Sequence, residues 1–280
     1  MNHGTFGSGI ADLYYEARVK MKNNRTYKNI HKFLLLVKGN GIRATLDFVL
    51  SRNSGDKTPK KMMFLGRCLY LRPYTPDLNV AYECFGTEFD CLKGLTNPAS
   101  NSLIIDAGGY IGTAAIALTE LFPQSIVVTI EPSNENFECL QRNIAEHKRI
   151  SAIHGALVAT KNSAGIRLID RKAGEWGYIV ETSAAGETAP GSVPSSGEAV
   201  TISDIMKIAG SGDIFVFKMD IEGGERELLI MHQDWLPKVH ALFIEVHEDL
   251  HPDINDVFSE ACAGRVNSST SGEKFLSIRP

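Results

Sequence analysis

Four short, almost wholly apolar runs constrain this chain more than any other feature: 103–105 (Leu-Ile-Ile), 126–130 (Ile-Val-Val-Thr-Ile), 214–217 (Ile-Phe-Val-Phe) and 241–244 (Ala-Leu-Phe-Ile). A strand with one wet face alternates apolar and polar residues, whereas a run apolar on both parities belongs to a strand covered on both faces. Between the runs, residues 112–121, 134–147 and 225–235 carry helical periodicity. Strand alternating with helix predicts an α/β fold with a doubly wound, mostly parallel sheet over residues 101–280.

The first hundred residues read differently. Residues 11–52 have helical spacing, broken at Gly39-Asn40-Gly41, and 62–71 and 78–89 read as strands joined by a turn at 72–77. Together they predict an N-terminal helical and β-hairpin cap over 1–100. Two stretches rich in small and polar residues, 182–199 and 264–273, read as loops. Trp176, just before the first of them, reads as a packing residue.

Composition excludes some partners. With 29 basic and 33 acidic residues the net charge is -4, which provides no overall field to attract nucleic acid or an acidic membrane. A local basic patch is compatible with that total. The apolar cluster at 33–37 is too short to cross a bilayer. Five cysteines without a C-x-x-C pair, and a first ten residues without a secretory pattern, point to reduced thiols and a cytoplasmic protein. The partner expected is a small-molecule or glycan acceptor; the oligomeric state stays open.

In open α/β sheets ligands bind beyond the carboxyl ends of the strands. The first run ends in Asp106-Ala107-Gly108-Gly109-Tyr110-Ile111-Gly112, and the second in Glu131-Pro132. The next core strand, near 150–154, ends in Gly155-Ala156-Leu157, and the last two end in Lys218-Met219-Asp220-Ile221-Glu222 and Glu245-Val246-His247. A dinucleotide fingerprint would put its first glycine at position 107, which is Ala, and Asp106 would repel a pyrophosphate. S-adenosylmethionine has no phosphate, and its ammonium and sulfonium suit an acidic rim. Glu131 stands where a doubly wound fold places the acid for ribose hydroxyls.

These residues resemble the FkbM-type methyltransferases: Asp106, Gly108 and Gly112, then Glu131-Pro132 with Asn136, and later Lys218-x-Asp220-x-Glu222-Gly223-x-Glu225. The resemblance implies a Rossmann-like methyltransferase core, S-adenosylmethionine as cofactor, and O-methylation of a hydroxyl on a small molecule, sugar or polyketide-like acceptor. It implies a cofactor set of Asp106, Gly108, Gly109, Tyr110, Gly112, Glu131, Pro132, Asn136 and Ala156. Tyr110 departs from the family, which usually carries an Asn there.

For catalysis the sequence offers Asp220, His247, Glu222 and Lys218. Lys218 lies inside its strand and needs a partner, for which Asp220 is nearest in sequence. His247 is the natural general base, because an unperturbed imidazole titrates near neutral pH. A divalent ion held by Asp220, Glu245 and His247 is the alternative to a metal-free base. Glu225 and Glu227 read as helix-dipole acids. Two other functions fit the same glycine turn: an NAD-dependent oxidoreductase, and an inactive binding module that keeps the fold.

Overall fold

The computed structural model describes residues 24–96, 98–161, 165–170, 178–183, 192–194 and 197–280. The chain divides into two compact units, Met1–Tyr74 and Thr75–Pro280.

The first unit contains helix α1 (Arg25–Asn53) and the hairpin β1 (Lys60–Phe64) and β2 (Arg67–Leu71). Asn24 caps α1, its side chain accepting from the N–H groups of Thr26 and Tyr27. The Gly-Asn-Gly break is a kink: Gly41 leaves helical geometry at φ 77, ψ 167. Asn40 beside it donates to Met63 O and accepts from Met63 N–H, at 2.9 and 2.8 Å, which ties the helix to β1. Leu36 and Phe48 of the helix, and Met62, Phe64, Leu69 and Leu71 of the hairpin, are buried. Residues 11–23 of the expected helix lie outside the described residues.

The hairpin expected between 62–71 and 78–89 is corrected. Its turn is Leu65-Gly66, with both residues at positive φ, as a two-residue hairpin turn requires. Residues 77–84 are instead helix α2 (Asp77–Cys84), in the second unit. Pro76 stands before its first turn and Asp77 in it, a helix-start signal that outweighs the aromatic content.

After a 3-10 turn at Asp90–Gly94, the second unit runs β3 (Leu103–Ala107), α3 (Thr113–Leu121), β4 (Ile126–Glu131), α4 (Asn134–Ile144) and β5 (Ile150–Leu157). Next come β6 (Gly165–Asp170), β7 (Tyr178–Ser183), β8 (Ser192–Pro194), β9 (Glu198–Val200) and α5 (Ile202–Ala209). The remainder is β10 (Ile214–Met219), α6 (Glu225–Ile230), β11 (Val239–Glu245), α7 (Ile254–Ala261), β12 (Val266–Ser271) and β13 (Lys274–Ile278).

The main sheet has eight strands in the order β12-β13-β11-β10-β3-β4-β5-β9. The pairs from β11 across to β9 are parallel, and β13 adds antiparallel to β11 and β12 to β13. This is the doubly wound sheet that the apolar runs predict. Every position of β3 is buried. The core gathers Ile105, Phe217, Leu242, Leu228, Trp235 and Phe258, each contributing about 1.5–3 kcal/mol by burial.

Two loop assignments change. Within 182–199, residues 182–183 close β7, 192–194 form β8, and Glu198–Val200 pair with Gly155–Leu157 as the eighth strand. Residues 184–191 and 195–196 lie outside the described residues, as does Trp176. Strands of three residues carry no periodicity to read. Residues 264–273 include β12, an exposed edge strand whose Asn-Ser-Ser-Thr-Ser composition reads as loop because no face of it is buried.

The chain winds from β3 outward through β4 and β5, then returns to add β10 on the other side of β3. The topological switch therefore falls between β3 and β10, whose ends carry Asp106 and Lys218.

Two glycines at nearly equal φ separate strain from space. Gly66 (φ +79) has nothing within 4 Å of an added Cβ, whereas at Gly108 (φ +80) a Cβ would stand 1.7 Å from Asp220 O. Gly66→Ala is expected to cost about 1–2 kcal/mol, and Gly108→Ala several kcal/mol more, by urea denaturation. Equal losses would show that the contact at Gly108 is absent.

Candidate active site

At the switch point β3 and β10 pair in register, Lys218 opposite Asp106. Lys218 Nζ lies 3.3 Å from Asp106 Oδ1 and 3.7 Å from Asp220 Oδ2. It also donates to the carbonyls of Ala107 and Gly108, at 3.2 and 2.8 Å. Burial alone would drive the proton off, but the Asp106 and Asp220 charges hold the Lys218 pKa well above its ordinary value. The partner in closer contact is Asp106, not Asp220 alone as sequence proximity suggests. Asp106 is 0 % exposed and accepts from Thr129 Oγ1 at 2.8 Å. Burial raises its pKa while Lys218 and Thr129 pull it down. Its carboxylate thus supports the site from beneath and is not on an acidic rim.

Beyond Asp106 the chain turns through the glycine segment. Gly112 caps α3 in left-handed geometry, and Tyr110 is left-handed too, at φ 49. Tyr110 N–H donates to Glu131 Oε2 at 2.8 Å, and Glu131 Oε1 accepts from Ser133 N–H and Asn136 Nδ2 at 2.9 and 3.2 Å. Burial pushes the Glu131 carboxyl up to about 7, against the pull of those three bonds. Glu131, Pro132 and Asn136 are thus gathered at the loop. The Tyr110 hydroxyl donates to Asp77 Oδ1 of α2, at 2.7 Å. Asp77 was not foreseen, because its partner lies 33 residues away. Ala156 stays apart: it is buried in β5, paired with Ala199 of β9.

On the other side stand the acids after β10. Glu222 takes φ 54, a left-handed conformation that non-glycine residues adopt at a cost. Glu225, at the start of α6, accepts from the N–H groups of Ile221 and Gly223, both at 2.8 Å, and shapes the turn. His247 follows β11, which lies beside β10. Its Nδ1 donates to Glu225 Oε1 at 3.1 Å, and its Nε2 lies 3.5 Å from Glu222 and 3.9 Å from Asp220. Burial opposes its charge, but the Glu225 hydrogen bond and the Glu225, Asp220 and Glu222 charges hold the imidazole up to about 9. At neutral pH His247 is therefore an imidazolium, not the free base that an unperturbed histidine would be.

A cavity of about 280 Å³ opens between these groups, lined by Gly108, Gly109, Tyr110, Thr113, Lys218, Asp220 and Glu222. Cys84, Glu83 and Glu88 from α2 and the turn after it, with Glu245 and Lys274, complete much of the wall. Lys274 Nζ contacts Glu88 at 2.6 Å and Glu245 at 3.1 Å. Glu88 and Lys274 are far apart in sequence and carry no local motif, so only the fold brings them in.

A metal set of Asp220, Glu245 and His247 does not form, since Glu245 is held by Lys274. The ligand atoms within 4.8 Å of one another belong to Asp220, Glu225 and His247. Glu225 already accepts the N–H groups of Ile221 and Gly223 and the Nδ1–H of His247, so its oxygens are engaged within the protein.

The chain matches the methyltransferase FkbM domain over residues 106–265 and belongs to that family. It is similar to the methyltransferase sdnD of Sordaria araneosa, 30% identical over 71 residues, which is 25% of this chain and 27% of that protein. The match thus spans about a quarter of that curated relative. Among solved structures, the fibrillarin pre-rRNA processing protein of Methanococcus jannaschii is 15% identical, with 70% and 75% of the two chains covered and a TM-score of 0.41. Precorrin-6y C5,15-methyltransferase of Geobacter metallireducens is 8% identical, with 72% and 90% covered and a TM-score of 0.39.

The His247 charge makes stability depend on pH. Its folded pKa, about 9, lies above the ordinary value. The stabilisation is therefore full below about pH 6.5 and is lost as pH rises through about 9. Urea denaturation should show the wild type losing up to about 3 kcal/mol relative to His247→Gln across that window. A wild-type-to-variant difference that stays flat with pH would rule out the raised pKa.

Proposed function

We propose that this chain is an S-adenosylmethionine-dependent methyltransferase acting on a hydroxyl of a small molecule or glycan, with Thr75–Pro280 as the catalytic unit. One observation carries the reading: glycine loop, helix start and carboxylates converge on one cavity whose lysines are both tied to acids. Such a wall repels phosphate and favours a cationic, phosphate-free cofactor.

The residues suit that cofactor. Thr113 and Ala114, at the start of α3, line the cavity, and Gly112 caps that helix without a side-chain bond. First-turn N–H groups there fit a carboxylate. Glu222, also on the cavity wall, fits an ammonium. Glu131 accepts three hydrogen bonds, and a carboxylate has about four acceptor sites, which leaves one for a hydroxyl donor. When bound, the cofactor supplies a methyl group activated by its sulfonium.

The chain's own part is positioning and proton handling. Asp220, partly exposed on the cavity wall, accepts a hydrogen bond from the acceptor hydroxyl and takes its proton. Lys218 fixes Asp220 from below, and the His247 imidazolium steadies Asp220 and Glu222 from the side. The general base on this reading is Asp220. The oxidoreductase alternative has no support in the family match, which is to a methyltransferase domain.

The test combines calorimetry and mass spectrometry. S-adenosylhomocysteine should bind and NAD should not, and Glu131→Ala should weaken that binding at least about tenfold. Asp220→Asn should keep cofactor affinity but slow methyl transfer to a hydroxylated acceptor by roughly 10²–10⁴. Binding of NAD in place of S-adenosylhomocysteine would overturn the reading, and measurable methyl transfer would exclude an inactive module.

A further inference from the structure

The catalytic reading leaves α1 without a role, and among the described residues α1 concentrates exposed apolar side chains. Six of the eleven large apolar side chains exposed among the described residues belong to it: Tyr27, Ile30, Leu34, Ile42, Leu46 and Leu50. They recur at three- and four-residue spacing on each side of the Gly41 kink, so each half of the helix presents one apolar face. Ile30, Leu34, Ile42 and Leu50 are each more than half exposed. Exposed apolar residues grouped on one face of each half mark an interaction site, in contrast to apolar residues scattered singly.

The same helix is basic. Arg25–Asn53 contains six lysines and arginines against the single acid Asp47, a net +5 in a chain whose total is -4. Of the six only Lys32 is buried. The remainder of the chain is accordingly acidic, and an anionic surface would attract α1 while repelling the rest.

We propose that α1 is a peripheral membrane helix that lies on anionic lipid headgroups, its apolar stripe in the acyl boundary and its basic groups at the phosphates. Three arguments select that occupant. No helix among the described residues is long and apolar enough to cross a membrane, so α1 would rest on the surface. A second copy would set +5 against +5. A nucleic acid would meet the charge but offer nothing comparable to bury the stripe.

The test is vesicle sedimentation of the full chain. Extruded phosphatidylcholine vesicles are compared with vesicles in which about one-third of the lipid is phosphatidylserine. Retention is expected only on the latter, and should fall as salt rises from about 0.1 to about 0.5 M, where screening shortens sharply. Leu34→Ser with Leu46→Ser should cut retention at least tenfold, and Lys38→Glu with Arg43→Glu should do the same through charge. Both pairs are exposed, so thermal melting should match the wild type; if one pair fails to fold, the other decides. Equal or absent retention on the two vesicle types overturns the proposal. So does a dimer, seen by light scattering, that the leucine variants dissolve, or retention lost to competing RNA at constant salt.

Discussion

Everything around the site depends on one buried charge, Lys218 on β10. Desolvating an ion costs several kcal/mol, and only a partner of good geometry with further hydrogen bonds offsets it. Asp106, in register on β3, is that partner, and Thr129 on β4 satisfies its other oxygen. The remaining Lys218 donors take the carbonyls of Ala107 and Gly108, which pins the glycine loop over the strand ends. The Asp220 N–H donates to Ala107 O at 3.2 Å and locks the same crossing from the opposite direction. The glycine loop, Asp220 and the cavity floor are therefore one unit.

Two of the acids beside the site organise backbone. Glu131 gathers N–H groups from the glycine loop and the start of α4, and Glu225 gathers two from the turn after β10. Each holds a segment with a non-glycine residue at positive φ, Tyr110 in one and Glu222 in the other. Such conformations cost on the order of 1–3 kcal/mol and persist where their surroundings over-determine them. Here the surroundings are the carboxylates. Mild overall acidity thus conceals two populations: acids turned inward to shape loops, and acids such as Asp220 left on the cavity wall.

How much of this was legible follows from the range of each signal. The parallel sheet could be read because its strands are apolar on both parities, a local pattern. The glycine turn, Glu131 and the Lys-Asp-Glu run could be read because their spacing is short and the strand ends announce them. Helix α2 reads as a strand in the sequence, since aromatic content masks a Pro-Asp start. Strands β8, β9 and β12 read as loop because three-residue or almost fully exposed strands show no alternation. The charge of His247 was illegible: it depends on Glu225, Glu222 and Asp220 arriving together.

The sequence by itself determined the layer architecture and the order of chemical groups along the strand ends. Both are properties of neighbouring residues, or of the covering that a strand must have. Only the tertiary structure decided that Asp106 is sealed beneath the site, that Tyr110 reaches Asp77, and that Glu88 and Lys274 help to wall the cavity. Only it set Asp220 on the cavity wall and surrounded His247 with three carboxylates. Those outcomes turn on desolvation and on Coulomb interactions over a few ångströms, between residues that the chain order keeps far apart.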